Sequence, residues 1–278
     1  MPDRLLREFA PVSDAAWALI DAEARRTIES ILGGRRVVDF RGPEDWQKSA
    51  IAIGRTEPIA GPGGGVEARL CRVQPLIELR RGFELERAEL DAVARGAQDP
   101  NLDAVIEAAR EVALAEDRAI FHGYAAAAIK GICEGASAEP IVLSDDYRAY
   151  PQAVATALSR LRDSGVDGPF AIVLGRRCFI GLTETTAGGY PVFQHVRDLI
   201  EGPIVRAPAV DGAAVLSMRG GDFELVIGED FSVGYLDHDA ATLRLYVEES
   251  MTFRLISPQA AVALVYAAAP GKEARPRS

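Results

Sequence analysis

Trp17, Ile20, Ala24, Ile28 and Ile31 recur at three- and four-residue steps within residues 13–32, the spacing that lines apolar side chains along one face of a helix. Ser13 stands where a cap hydroxyl accepts a free first-turn amide. Gly33 and Gly34 mark the stop, expected through the positive φ that costs glycine least. The stretch "GGRRVVDFRGPEDW" (33–46) then sets two arginines against a short apolar strand, Val37 and Val38, ending in Asp39. Residues 53–80 switch period: Val66, Ala68 and Leu70 alternate with Glu67, Arg69 and Cys71. With "GPGGG" (61–65) as a loose tip, this predicts a long β-hairpin, and a two-stranded arm is marginally stable alone.

The longest helical signal runs over residues 99–133, with Leu102, Val105, Ile106, Ala109, Val112, Ala113 and Ile120 as its stripe and Asp99 or Asn101 as its cap. About 30 residues would make a rod of about 45 Å. Another helix is expected over 144–163, a buried strand over 170–174, and short helices over 176–185 and 192–202 flanking "TAGGYP" (186–191). Strands follow at 213–217, 223–227 and 231–236, and alternation from Leu243 through Leu255 predicts one more. Helices precede the final sheet, so the fold class is α+β.

A net charge of −10 supplies no basic face for phosphate, which argues against a nucleic-acid partner. The three cysteines, Cys71, Cys133 and Cys178, are scattered and form no CxxC pair, which points to a reducing, cytoplasmic setting rather than a disulfide framework. The start, "MPDRLLREFA", has no apolar core of a secretory leader. The longest apolar run, 260–269, is ten residues, too short for a bilayer, so no membrane partner is expected.

Chemistry is sparse. His122, His195 and His238 sit in no metal-ligand spacing. His122 is expected to pack within the long helix, and His238 to lie in an acidic surface turn. Cys178 with His195 is the one conceivable nucleophile pair, and no family signature surrounds it. "GPGGG" lacks the Lys-Ser/Thr of a phosphate loop, and no GxSxG occurs. No catalytic residue, metal site or cofactor is predicted. "TTAGGYP" is a loop with special backbone geometry.

The segments "APVSDAAW", "GRRVVD", "PLIELR", "GGDFELVIGEDFSVGY" and "SPQAAVAL" occur in an order that strongly resembles encapsulins, the shell proteins of prokaryotic nanocompartments, over all but about the last eight residues. The resemblance implies the tailed-phage major capsid fold, with a peripheral domain, an axial domain and an extended hairpin loop. Its expected division is a lumen-facing N-terminal helix arm (1–34), a first peripheral part (35–52), the extended loop (53–80), a peripheral part with the spine helix (81–138), the axial domain (139–217), a last peripheral part (218–270) and a disordered tail (271–278). It implies a structural role rather than catalysis. The partner would be the chain itself, in an icosahedral shell of about 60 copies, enclosing a cargo enzyme such as a dye-decolourising peroxidase or a ferritin-like protein involved in iron storage. A C-terminal targeting peptide of the cargo would bind Ile28, Leu32, Arg35, Val37, Asp39, Asp230, Phe231 and Val233. Thr186, Ala187, Gly188, Gly189 and Tyr190 would line a fivefold pore for metabolites or ions. The nearest alternative is a phage-type capsid packaging nucleic acid. A more distant one is a peptidase or bacteriocin-like activity, against which the lack of a nucleophile–base set argues.

Overall fold

Helix formation at the amino end follows the stripe. In the computed structural model, which describes residues 4–267, α1 spans Asp14–Ile31, and Ser13 Oγ accepts the Ala16 amide at 3.3 Å. Trp17, Ile20, Ala24 and Ile28 are buried. The expected positive φ at the glycine pair is absent: Gly33 lies at φ −103°, and neither glycine is left-handed. Close approach is what excludes a side chain here, since a Cβ on Gly34 would lie 2.5 Å from Ile120 Cδ1 and 3.0 Å from Asp117 Oδ1. A 3-10 turn at Gly34–Arg36 takes up the place of the expected strand start. The strand, β1, is Asp39–Arg41, not Val37 and Val38.

Numbered along the chain, the first of two units comprises residues 4–131 and 223–256. It holds α1, β1, β2 (Ala50–Gly63), β3 (Val66–Pro75), β4 (Ile77–Glu86), α2 (Arg87–Ala94), α3 (Asp103–His122), β11 (Phe223–Ile227), β12 (Ser232–His238) and β13 (Thr242–Leu255). Its main sheet has the order β1-β11-β13-β12, with β4 also on β13. β1 runs parallel to β11, and the β13 pairings are antiparallel. The long strand β13 is therefore central, and the alternation read in 243–255 does not become an exposed face: from Leu245 to Phe253 every residue is buried, Glu248 and Glu249 included.

The extended hairpin is β2 with β3, a separate two-stranded antiparallel sheet. It covers 50–75 rather than 53–80, because 77–86 pairs with β13 instead. Ile59, Val66, Leu70 and Val73 on it are exposed. The spine helix is shorter than the 99–133 expected. It starts at Asp103, whose amide is accepted by Asn101 Oδ1 at 3.0 Å, and stops before Gly123 at φ 79°, ψ 175°. His122 is thus its last residue, not a mid-helix packing group. The following chain turns back, Tyr124 bridging Ile129. Helix α2 was not anticipated.

The second unit comprises residues 132–222 and 257–267. It contains α4 (Ile132–Gly135), β5 (Ile141–Leu143), α5 (Tyr150–Asp163), β6 (Phe170–Leu174), α6 (Arg176–Glu184), β7 (Thr186–Ala187), β8 (Tyr190–Pro191), α7 (Val192–Leu199), β9 (Ile204–Arg206), β10 (Ala213–Ser217) and β14 (Ala261–Tyr266). Helix α5 begins at 150 rather than 144, after a 3-10 turn at Tyr147–Ala149. The sheet order is β5-β14-β10-β6-β9. This corrects the assignment of 218–270 to one peripheral part. Ala261, Val262, Ala263 and Leu264 pair antiparallel with Leu216, Val215, Ala214 and Ala213, so the apolar run near the end supplies an inner strand of the second unit. The tail expected at 271–278 lies outside the described residues.

Replacing Gly123 by alanine tests the break in α3. A Cβ there would sit 2.6 Å from the Ile129 carbonyl oxygen and 2.7 Å from the Gly131 nitrogen, at a φ that side chains rarely adopt. The expected loss is about 1–3 kcal/mol, read by denaturant unfolding, and an unchanged midpoint would refute this account of the helix end.

Candidate functional site

The apolar face of α1 does not stop at the core. One turn around the helix, Asp21, Ala24, Arg25, Ile28, Glu29 and Leu32 line a cavity of about 660 Å³. Its other wall comes from Asp230, Phe231, Ser232, Val233 and Val247, at β12 and β13, with Arg35 and Arg36 at one end and Leu5 and Arg7 at the other. The floor is aliphatic and aromatic. Arg7 is fixed by Asp21, at 2.6 and 2.8 Å, and by the Val233 carbonyl, at 2.7 Å. Arg25 and Arg36 are exposed. The groove thus combines a greasy base with charged rims, the composition of a small-ligand or peptide site.

Arg35 lies where four carboxyl groups meet. Its guanidinium donates to Glu116 at 2.6–3.0 Å and to Glu249 at 2.9 Å, and pairs with Asp230 at 2.8 Å. It also stacks over Phe231 at 4.8 Å and Phe40 at 5.1 Å. Beside it, Asp117 accepts the Gly33 amide on Oδ2 and the Gly34 amide on Oδ1, both at 2.8 Å. Glu116, Asp117 and Glu249 are buried. Four carboxyls around one cation cannot all ionise cheaply. Burial pushes Asp117 up to about 7 against the pull of the two amides, and burial together with the neighbouring Glu116 raises Glu249 well above the usual carboxylate range. Burial opposes the charge on Arg35, yet its hydrogen bond to Glu116 and the surrounding carboxylates hold it firmly protonated.

Six of the eight residues expected at a peptide site, Ile28, Leu32, Arg35, Asp230, Phe231 and Val233, line this one cavity. Val37 and Asp39 do not. Val37 is 3 % exposed, packed in the core, and Asp39 is in β1, in register with Glu224. Sequence reasoning missed Asp21, Arg25 and Glu29, although their four-residue spacing on α1 runs beside that of Ala24 and Ile28. It also missed Glu116, Asp117 and Glu249, for which no local signal exists. They come from two distant elements and matter only because the fold buries them against Arg35.

In the second unit, β7 and β8 form a two-residue hairpin whose tip, Gly188 and Gly189, has φ of 60° and 83°. Two left-handed residues in succession define a type I′ turn. Tyr190 stacks on His195 at 4.6 Å and donates to Asp198 at 3.4 Å. Cys178 is buried against Tyr266 at 3.2 Å and Tyr150 at 3.6 Å, and burial raises its thiol pKa. That is the opposite of what a nucleophile requires. Among the described residues, no group of three or more His, Cys, Asp or Glu side chains is placed to hold a metal ion, and no helix is long and apolar enough to cross a membrane.

A family model described as "Encapsulating protein for peroxidase" matches residues 2–252. A "Type 1 encapsulin shell protein" of Rhodospirillum rubrum is 54% identical over 267 residues, covering 94% of this chain and 95% of the relative. Among solved structures, a virus-like particle from Pyrococcus furiosus superposes with a TM-score of 0.61 at 14% identity, covering 87% of this chain and 96% of that one. A chain from the Gordonia phage Cozz gives a TM-score of 0.55 at 13% identity, covering 86% and 87% respectively. The two superpositions place the α+β chain in the phage major-capsid-like fold.

Because Arg35 is the common cation of a buried acidic cluster, Arg35→Ala is expected to act first on stability. Removing one member of a buried ion-pair network costs about 3–5 kcal/mol. The loss should deepen as pH rises, since more of the abandoned carboxyls then ionise. Denaturant unfolding at pH 6 and pH 8 checks this, and a variant as stable as the parent at both would contradict the geometry.

Proposed function

The chain belongs to the encapsulin family of shell proteins, which are structural proteins rather than enzymes, and on that premise we propose that it assembles with copies of itself into a closed cytoplasmic compartment that holds a cargo enzyme. We take that compartment to be an icosahedral container of about 60 equivalent copies. The exposed apolar residues of the β2–β3 arm support self-association. A two-stranded ribbon carrying Ile59, Val66, Leu70 and Val73 outward buries them only against another surface, and obligate interfaces commonly bury about 2,000–5,000 Å².

The single observation that carries the cargo reading is the groove between α1 and β12–β13. Its apolar floor, about 660 Å³ in volume, suits a few aliphatic side chains of an extended segment, and Phe231 offers an aromatic anchor. We take the occupant to be a C-terminal targeting peptide of the cargo. The family model's description makes a peroxidase the first choice, with a ferritin-like iron-storing protein as another guest. Arg35 has a modified part in this reading. With its donors already engaged by Glu116, Glu249 and Asp230, it shapes the end of the groove rather than reaching for the peptide.

The β7–β8 hairpin is the proposed pore element. Five copies of Thr186, Ala187, Gly188, Gly189 and Tyr190 would surround a narrow opening passing metabolites or ions. Neither tip glycine has a heavy atom within 4 Å of a built Cβ, so a side chain there meets no neighbour, and the positive φ of both leaves asparagine as the substitution with least backbone strain.

Phe231→Ala is expected to cost about 2 kcal/mol of peptide binding, as an aromatic anchor does, or about thirtyfold in affinity. Shells co-expressed with a tagged peroxidase should then assemble but retain far less cargo per particle. Full loading would sink the groove assignment. Gly189→Asn, which keeps a residue tolerant of positive φ, should narrow the pore and slow oxidation of an external substrate by enclosed peroxidase. Equal rates in intact parent and variant shells would remove the hairpin from the pore.

A further inference from the structure

The wall of the groove between Leu32 and Arg35 is held from beneath by two consecutive residues of α3. Glu116 grips the Arg35 side chain, and Asp117 grips the backbone, one carboxylate oxygen to each of the Gly33 and Gly34 amides. Both amides and the carboxylate are buried, so no water replaces a lost acceptor. Gly34 has no room for a side chain, since a Cβ there would meet Ile120 and Asp117 Oδ1. The residues on either side of this clamp, Leu32 and Arg35, both line the cavity. A change at Asp117 is therefore transmitted to the groove without any contact between Asp117 and what the groove holds.

We propose that Asp117 is the positioning residue of the groove, and that a proton taken up by its carboxylate releases the 32–35 turn and weakens the binding of an aliphatic peptide there. The inference rests on the reading of the groove as a peptide site. In the observed arrangement both oxygens accept, which is the ionised form. Protonation turns one carboxylate oxygen into a hydroxyl that donates and accepts only weakly, so one of the two buried amides loses its charge-assisted acceptor. That loss has a real cost in a site without solvent.

The surroundings make the switch fall in a useful range. Asp117 faces Arg35 from the turn, which favours ionisation, and Glu116 on its own helix, which opposes it. From β13, Glu249 bears on the same guanidinium, as does Asp230 from the chain entering β12. From β4, Arg81 is occupied by Glu111 at 2.5 Å. From α1, Asp21, Arg25 and Glu29 lie along the groove. Burial dominates and sets Asp117 at about 7. Only the ionised fraction holds the competent turn, so apparent affinity scales with that fraction and should fall about tenfold between pH 8 and pH 6.

The linkage for folding has the opposite sign. A carboxyl raised in the folded chain binds its proton more tightly there than in the unfolded chain. Its contribution to stability is thus fully present below the ordinary carboxylate pKa and is lost as pH rises through about 7. Acidification from pH 8 to pH 6 should weaken the peptide while this group's contribution to folding improves, which separates positioning from simple loosening of the fold.

The test uses shells reassembled with a rhodamine-labelled, amidated peptide of leucine, glycine and serine, which has no titratable side chain. Anisotropy is read at equilibrium from pH 6 to pH 8, with particle integrity checked by light scattering. The expected result is about tenfold weaker binding at pH 6 than at pH 8, a flat profile in Asp117→Asn, and a midpoint that stays near neutrality in Glu249→Gln. Flat wild-type binding across the range would overturn the inference and leave the peptide site standing. Loss of the pH dependence in Glu249→Gln would overturn it in favour of Glu249, even if Asp117→Asn fails to fold. No binding at pH 8 would sink the peptide site itself, and the inference with it.

Discussion

The burial of more negative than positive charge at one point organises the first unit. Among the described residues, Arg35 is the one cation that reaches Glu116, Glu249 and Asp230 together, and these come from α3, from the central strand β13 and from the chain leading into β12. A guanidinium can satisfy several carboxylates at once through its planar fork of donors, which a lysine cannot do. The turn after α1, the spine helix and the sheet are thereby registered against one another by polar contacts. Apolar packing alone would hold the same elements with less positional discrimination. The cavity beside the cluster inherits that register, because its walls are the same elements.

A second constraint is topological. β13 is flanked on one edge by β11 and β12 in succession and on the other by β4, so its backbone is paired on both edges. Glu248 lies in this paired strand. It is buried within the strand and answered by Arg80, at 2.5 Å, and by Arg4. The chain leaves this sheet at 256 and contributes β14 to the other unit between β5 and β10. Each unit is therefore closed by sequence from both sides of its neighbour in the chain, and neither can be cut out as one continuous segment.

Local sequence pattern made α1, α6, α7, the β2–β3 ribbon and the strands β6, β10, β11 and β12 legible, whereas it did not reveal β5, β9 and β14 as strands. It failed where an element's limits depend on distant contacts. The stripe of α3 continues through "GYAAAAIKGI", rich in alanine, and only the backbone crowding at Gly123 and Gly131 explains why the helix ends. Residues 77–86 look like the second half of a hairpin until β13 is available to pair with them. The apolar residues of the groove could be read from α1 spacing and from the family resemblance. Its acidic foundation could not, since Glu116 and Asp117 look like solvent-facing residues of a charged helix until Arg35 and the glycine amides are brought onto them.

The hairpin arm carries Cys71 on β3, opposite Thr56, and it is the one exposed thiol of the three, Cys133 being half-buried and Cys178 buried. A maleimide or other alkylating reagent thus has a single preferred address per polypeptide, on a ribbon outside both main sheets. Dyes, spin labels or heavy atoms can be attached there without engineering the sequence, and the attached group would report on the arm's own environment rather than on the core.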